Sequence, residues 1–109
     1  CSRCAEDYVP DDKILKSLKL NISAAELAGA KKGAGCEQCA RTGYKGRIGI
    51  YELLRMDDDI RAAIISRSSA AAIRQISISK KMRTLRQDAI DKVKMGQTTI
   101  EEVIRVTTE

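Results

Sequence analysis

The sequence contains no histidine, no phenylalanine and no tryptophan, and its 109 residues include only three tyrosines and one proline. Without histidine, the chain has no imidazole base and no mixed cysteine and histidine metal site. Without large aromatic rings, its core must be built from Ile, Leu, Val, Ala and Met, and a core of this size is usually marginal unless something reinforces it. The composition therefore predicts a small fold that needs reinforcement.

Long apolar runs and long runs of one charge are also missing. No stretch of about 18 apolar residues could cross a bilayer, so we expect a soluble protein without direct membrane insertion. The formal net charge is +5. If the four cysteines of the chain bound one divalent metal ion as thiolates, the net charge would fall to about +3. Because the basic residues are scattered among acids, no nucleic-acid partner is expected. The chain begins at Cys1 rather than Met, which indicates a fragment of a longer protein.

The four cysteines form two Cys-x-x-Cys pairs separated by 31 residues. The first pair is Cys1 and Cys4, and the second is Cys36 and Cys39. A two-residue gap lets a tight turn direct both sulfurs to one point, and two such knuckles supply the four thiolates that zinc prefers. An all-sulfur site has no open coordination position. The spacing therefore predicts a structural Zn²⁺ site with these four ligands and no catalytic residue.

Three other interpretations of the cysteines remain open at this level. Disulfides would require an oxidising compartment, and bridges within each pair would close loops too short to constrain much. A redox-active Cys-x-x-Cys normally occurs once, at a helix start. An iron centre uses the same four ligands, so spacing does not separate iron from zinc.

The gap between the pairs is longer than in compact zinc ribbons, so we expect folded structure within it. Asp11 and Asp12 are helix start signals ahead of apolar residues at helical spacing. Ser23 and Glu26 form a capping box for a second short helix. The apolar positions of the first helix are Ile14, Leu15, Leu18 and Leu20, and the second carries Leu27.

Two glycines follow the second knuckle, Gly43 and Gly46, and can adopt positive φ angles that direct backbone N–H groups toward the thiolates. The β-prone segment that comes next ends at Met56 and predicts one strand or hairpin arm. Its apolar residues are Ile48, Ile50, Tyr51, Leu53 and Leu54.

From Asp57 onward the pattern predicts short helices. Asp57, Asp58 and Asp59 suit a helix N-terminus better than a metal site, because carboxylates there cap free N–H groups. Further helices are predicted to start at Ser68 or Ser69, at Thr84, and at Thr99 with Glu102, and Gly96 is a C-terminal stop. The predicted buried stripe of the first of these helices is Ile60, Ala63 and Ile64. The apolar positions of the others are Ala71, Ile73, Ile76 and Ile78; Leu85, Ala89, Ile90 and Val93 along one side; and Ile100, Val103, Ile104 and Val106.

Several motifs follow one another in order along the chain. They are Gly35-Cys36-Glu37-Gln38-Cys39, Thr42-Gly43-Tyr44-Lys45-Gly46-Arg47, Gly49-Ile50-Tyr51-Glu52-Leu53-Leu54, and a tail from Met82-Arg83-Thr84-Leu85 to Glu101-Glu102-Val103-Ile104-Arg105-Val106. Together they resemble the ATPases of type II secretion and type IV pilus assembly. Two positions depart from the pattern, because Ala89 and Lys81 stand where the family tends to have glycine.

The resemblance implies a parent protein that forms a homo-hexamer on the cytoplasmic face of the bacterial inner membrane and hydrolyses ATP to move pilins or pseudopilins. ATP and Mg²⁺ would bind upstream of this chain, so no catalytic residue is carried over. The implied partners are the upstream ATPase domain, neighbouring subunits and inner-membrane platform proteins.

The predicted fold is α+β and mostly α. It combines a four-cysteine zinc-knuckle subdomain with a short strand or hairpin, residues 1–56, and a bundle of short helices, residues 57–109. The predicted function is a non-catalytic structural and interaction module of a secretion or pilus-assembly ATPase. The alternative is a zinc-knuckle module that binds nucleic acid through Arg41, Lys45 and Arg47.

Overall fold

The computed structural model describes residues 1–17 and 22–107 and is mostly helical with one small sheet. The predicted fold class is confirmed. No helix in the described ranges is long and apolar enough to span a membrane. The elements are β1 (Ala5–Asp7), α1 (Asp12–Ser17), a 3-10 helix (Ala24–Leu27), β2 (Lys31–Gly33), a second 3-10 helix (Glu37–Cys39), α2 (Asp58–Ile65), α3 (Ala70–Ser79), α4 (Leu85–Lys94) and α5 (Ile100–Thr107).

The sheet consists of β1 and β2, which pair in antiparallel register with Ala5 opposite Gly33. Charges match across the strands, since Lys31 Nζ lies 3.4 Å from Asp7 Oδ1. The Lys32 ammonium lies 5.3 Å from the centroid of the Tyr8 ring, within the range of a cation–π contact. These contacts fix the register of two strands that are too short to pair stably without side-chain support.

The strand predicted between Ile48 and Met56 is wrong. That segment has no regular secondary structure, and Ile48, Tyr51 and Leu53 are exposed. A β-prone sequence becomes a strand only when another strand supplies backbone partners. In the described ranges β1 and β2 pair with each other, so neither strand supplies backbone partners to residues 48–56.

The chain divides by its internal contacts into two compact units. Unit 1 comprises Cys1–Gly49 with Ala89–Glu109, and unit 2 comprises Ile50–Asp88. The core of unit 1 contains aliphatic residues from α1, α4 and α5, whereas unit 2 buries Ile60 and Ala63 of α2. These two units do not coincide with the predicted domains, residues 1–56 and 57–109. The division into those domains remains a prediction. The largest buried side chains of unit 1 are Leu27, Val93, Ile100 and Val103.

Most of the predicted helix starts are confirmed by side-chain caps. Asp57 Oδ1 accepts the Ile60 N–H at 2.9 Å, and Ser69 Oγ accepts the Ala72 N–H at 3.1 Å. Thr84 and Thr99 cap α4 and α5 in the same way. Ser23 is the exception, because it precedes the 3-10 helix without a side-chain cap. The Glu26 N–H instead donates to the Ser23 backbone oxygen at 3.1 Å, so the backbone of Ser23, not its side chain, starts the turn.

The predicted buried stripe of α2 is correct except at Ile64, whereas no apolar position predicted for α3 is buried, since Ile73 and Ile76 are only half-buried and Ala71 is exposed. Ile60, Ala63, Ile100 and Val103 are buried, but Ile64 is 47 % exposed. Ile78 and Val106 are also exposed. The two residues Leu18 and Leu20 lie outside the described residues. Periodicity gives the direction of a buried face, whereas its width depends on the neighbouring elements.

Acid is expected to weaken the start of α2 through Asp57. The Ile60 N–H and then the Lys80 ammonium lower the pKa of Asp57. A carboxyl with a lowered folded pKa stabilises the fold above its unfolded pKa, and this stability disappears as the pH falls through the folded value. Asp57→Ala should remove that acid dependence, whereas Asp57→Asn should keep part of the cap without the charge. Denaturant unfolding between neutral and acidic pH checks this, and an unchanged pH profile in Asp57→Ala would contradict it.

Replacing Lys81 by glycine is expected to stabilise unit 2. Lys81 follows α3 with φ of 67°, in the left-handed region that glycine adopts without strain. Its N–H donates to the Ile78 oxygen, and the Met82 N–H donates to the Ser77 oxygen, as at a helix end that normally carries glycine. We expect Lys81→Gly to raise the free energy of unfolding by about 0.5–1 kcal/mol after the greater entropy of unfolded glycine is included. Lys81→Ala is the control, and an equal gain there would show that charge, not backbone strain, is responsible.

Candidate metal centre

Strand pairing brings the two knuckles together. Cys4 immediately precedes β1, and Cys36 is the third residue after β2. The antiparallel register therefore places both cysteine pairs at the same end of the sheet. One further backbone bond continues the pairing to the site, since the Ala34 N–H donates to the Cys4 oxygen at 3.0 Å. The sheet therefore brings the second cysteine pair back to the first, although 31 residues separate the pairs in the sequence.

The second knuckle closes through an unusual backbone. Its cysteines bracket the 3-10 helix Glu37–Cys39, and the following Ala40 and Arg41 both have positive φ, 52° and 65°. The Arg41 N–H donates to the Cys36 oxygen at 2.8 Å. This turn returns the chain across the knuckle and leads it to Gly43.

The four sulfurs lie within 4.8 Å of one another. Three of the separations are 3.7 Å for Cys36 and Cys39, 3.8 Å for Cys4 and Cys39, and 3.9 Å for Cys1 and Cys36. Four sulfurs at about 2.3 Å from a central zinc ion form a tetrahedron with edges of about 3.8 Å. The donor set therefore fits a tetrahedral metal ion, and all four cysteines are free thiols rather than disulfides.

Backbone N–H groups surround the site and direct positive charge toward two of the sulfurs. Cys39 Sγ accepts the N–H groups of Cys36 at 3.3 Å and Gly43 at 3.2 Å. Cys4 Sγ accepts the Gly35 N–H at 3.3 Å. Such bonds stabilise thiolates and orient metal ligands. The prediction that Gly43 directs an N–H toward the thiolates is confirmed, whereas Gly46 makes no such bond within the described residues.

The environment separates the acidities of the cysteines. Burial acts to raise the pKa of Cys39, but the N–H groups of Cys36 and Gly43 outweigh it and lower the pKa to about 6. For Cys4 burial dominates, and its pKa is raised. A cluster with one thiol that is already largely ionised near neutral pH is suited to metal binding, because the thiolate is the ligand.

Two glycines let the backbones on either side of the site approach each other. Gly43 is buried with φ of 83°, and a Cβ built on it would lie 2.6 Å from the Gly33 oxygen. A Cβ on Gly33 would overlap the Gly43 backbone in turn. The Cys1 backbone N–H also donates to the Gly43 oxygen at 2.8 Å. Contact between these two glycines therefore determines how closely β2 and the second knuckle pack.

Sequence reasoning missed the residues that tie this region to α5. The Tyr44 hydroxyl lies 2.7 Å from Thr99 Oγ1, and the Tyr8 hydroxyl donates to Glu101 Oε1 at 3.2 Å. Thr99 is buried and also caps α5. The only sequence signal was the presence of two tyrosines beside the knuckles in a chain otherwise poor in aromatics, and it did not indicate their partners.

Comparison with known proteins agrees with the motif resemblance. The family model described as "Type II/IV secretion system protein" matches residues 1–105. The chain is 47% identical over 111 residues to the type IV pilus assembly ATPase PilB of Thermus thermophilus, covering 100% of this chain and 12% of that protein. It is 43% identical over 109 residues to the type II secretion system protein E of Pectobacterium carotovorum, covering 100% of this chain and 21% of that protein.

A more distant relative is the type II secretion system ATPase E of Vibrio cholerae, 36% identical over 109 residues. The chain spans 12% to 21% of the length of these three relatives. The agreement between a family model over nearly the whole chain and relatives of this identity is sufficient to show the family. The chain belongs to the type II/IV secretion system protein family.

Proposed function

We propose that Cys1, Cys4, Cys36 and Cys39 bind one structural zinc ion. The observation that carries this proposal is the set of sulfur separations of 3.7–3.9 Å, which match the edges of a tetrahedral zinc–thiolate site. Zinc would supply a fixed tetrahedral centre that joins the two knuckles. With four protein ligands, the site would keep no position for water or substrate, so its role would be structural.

Within the parent protein, we propose that the chain is a non-catalytic C-terminal module of a hexameric secretion or pilus-assembly ATPase. Support comes from relatives named as ATPases that are several times longer than this chain. ATP and Mg²⁺ would bind in the upstream part, on the cytoplasmic side of the inner membrane. Neighbouring subunits and inner-membrane platform proteins are the proposed further partners.

Unit 2 offers a surface for the upstream ATPase domain. The segment from Tyr51 to Met56 exposes Leu53, Leu54 and Met56. Beside it lies a groove of about 750 Å³, to which Met82 and Lys81 also contribute. Charged residues such as Arg55, Lys80 and Asp88 also line the groove, and exposed apolar side chains rimmed by charged ones are typical of an interaction surface. In the described chain the backbone from Leu53 to Met56 makes no hydrogen bond, so both its side chains and its polar groups are available to the ATPase domain of the same polypeptide.

Leu53→Glu is therefore expected to disturb the longer protein but not the isolated chain. Leu53 is 75 % exposed here, so a polar residue should change the unfolding free energy of the chain by less than about 0.5 kcal/mol. In the full-length protein the same change would bury a charge and lower the melting temperature. Ile65→Glu is the matched control, because Ile65 is also 75 % exposed but does not line the groove. Equal effects of the two variants in the full-length protein would contradict the assigned interface.

The zinc proposal is tested by elemental analysis of the chain purified under reducing conditions. We expect one zinc ion per chain and none after denaturation in a strong chelator. Iron in place of zinc, or four cysteines in disulfides without metal, would overturn the proposal. The two tyrosines beside the knuckles are engaged with α5 rather than free to stack on bases, so we expect no nucleic-acid binding at low salt.

A further inference from the structure

The four cysteines of the proposed zinc site are not equivalent. Cys39 is 6 % exposed and its sulfur accepts two N–H groups, while Cys4 accepts one. Within the described residues, no backbone N–H donates to the sulfur of Cys1 or Cys36. These two are only partly buried, as Cys4 also is, whereas Cys39 is buried. The site thus has two sulfurs that accept backbone N–H groups and two that accept none, and these hydrogen bonds, not burial, separate the pairs.

Hydrogen bonds to a zinc-bound thiolate draw electron density from its lone pairs and make it a weaker nucleophile. A thiolate without such bonds keeps more negative charge on sulfur and reacts faster with electrophiles, provided that solvent reaches it. Cys1 and Cys36 meet both conditions, whereas Cys4, which is also only partly buried, has the Gly35 N–H bonded to its sulfur. Their sulfurs are 3.9 Å apart, so a bond between them requires a shift of about 1.9 Å toward the usual S–S distance.

Building on the proposed zinc site, we propose that Cys36 and Cys1 form a peroxide-sensitive pair whose oxidation releases the metal. The Cys36 thiolate attacks hydrogen peroxide, giving a sulfenic acid and hydroxide. The Cys1 thiolate then attacks the Cys36 sulfur, and hydroxide leaves as the disulfide forms. The two thiolates lose two electrons in total and peroxide gains them, and each of the two hydroxide ions takes one proton from the buffer to become water. The disulfide would leave only Cys4 and Cys39 to hold the metal, so the chain would release it.

The choice of Cys1 rather than Cys39 as the second sulfur follows from the same hydrogen bonds. Cys39 lies slightly nearer to Cys36, at 3.7 Å. Its sulfur is nevertheless held by two N–H donors and lies in the interior, so it must lose these bonds before it attacks. Cys1 has no such bonds to break. Reactivity, not the difference of 0.2 Å between the two distances, therefore decides the first disulfide.

Alkylation of the zinc-loaded chain tests the order of reactivity directly. A brief pulse of iodoacetamide under native conditions, followed by denaturation and a heavy-isotope reagent, reports the reactivity of each cysteine by mass spectrometry. We expect Cys1 and Cys36 to react at least about tenfold faster than Cys4 and Cys39, the factor expected for one hydrogen bond to a charged sulfur. Equal rates, or faster reaction of Cys4 or Cys39, would overturn the inference.

Disulfide mapping after limited peroxide treatment tests the product. Trypsin cleaves after Arg3 and separates Cys1 from Cys4, and a glutamate-specific protease cleaves after Glu37 and separates Cys36 from Cys39. The first linked peptide should join Cys1 and Cys36 and appear together with released zinc, measured with a chromogenic chelator. A first disulfide between Cys36 and Cys39 would contradict the proposed pairing. The zinc content measured before oxidation distinguishes failure of the zinc site from failure of the peroxide-sensitive pair. A chain that contains no zinc before oxidation would contradict the zinc site itself.

Discussion

Cys39→Ser is expected to abolish zinc binding and to unfold unit 1, whereas Glu37→Ser leaves both intact. Cys39 is the most buried of the four cysteines, and its sulfur lies 3.7 Å from Cys36 Sγ and 3.8 Å from Cys4 Sγ. A hydroxyl in its place removes a charged, soft ligand from the centre of the cluster. Three sulfurs remain, with no histidine in the chain to replace the fourth.

The effect is large because the metal site does not exist in the unfolded chain. Binding free energy is then folding free energy, and structural zinc contributes about 10 kcal/mol or more in small zinc peptides. Small domains have total stabilities of only about 5–15 kcal/mol. Unit 1 has two strands of three residues and no phenylalanine or tryptophan, so little else would hold the knuckles together.

Circular dichroism during thermal unfolding, with zinc analysis of the same samples, measures both consequences. Glu37 is the matched control, because it lies within the same turn and is exposed. A chelator should bring the unsubstituted chain to the same state as Cys39→Ser. If Cys39→Ser retained its metal and its thermal transition, the four sulfurs would not be the ligands.

The cysteine cluster was predictable because the chemistry restricts the alternatives. Two Cys-x-x-Cys pairs with no cysteine left over point to a common site, and the structure brings all four sulfurs together. Helix starts were predictable for a similar reason, since residues such as Asp57 and Thr99 act on N–H groups two or three residues away. Both inferences depend on local rules that need no knowledge of distant elements.

The errors occurred where distant elements decide the outcome. The β-prone residues from Ile48 to Met56 predict a strand, yet a strand requires a backbone partner that the described chain does not provide there. The strands that do form, β1 and β2, are short and carry charged residues. Their pairing with each other beside the two knuckles stabilises them. The link between Tyr44 and Thr99 joins residues 55 positions apart. No local pattern encodes such a separation.

Alanine substitutions at Gly33, Gly43 and Gly46 should have effects that separate close contact from backbone strain. Gly46 has φ of 73° and open space where an added Cβ would lie, so Gly46→Ala introduces strain alone. We expect it to cost about 1 kcal/mol, since a left-handed alanine is strained but its unfolded state has less entropy than glycine. Gly33 does not have a positive φ, so Gly33→Ala introduces the clash with the Gly43 backbone alone.

Gly43→Ala combines both penalties and should be the most destabilising of the three. With φ of 83° and a Cβ 2.6 Å from the Gly33 oxygen, it must move β2 away from the second knuckle. We expect a loss of about 3 kcal/mol or more, in the range of overpacked or strained core positions. The displacement would also pull the Gly43 N–H from Cys39 Sγ, so zinc affinity should fall together with stability.

Denaturant unfolding and competition with a zinc chelator measure the two quantities for each variant. Gly46→Ala should keep the zinc affinity of the unsubstituted chain, because Gly46 contacts neither the sulfurs nor Gly33 within the described residues. Equal losses in Gly43→Ala and Gly46→Ala would mean that strain alone matters and that the backbones can separate without cost. A graded series, with the largest loss of zinc affinity at Gly43, would show that the glycine contact between β2 and the second knuckle sets the geometry of the site.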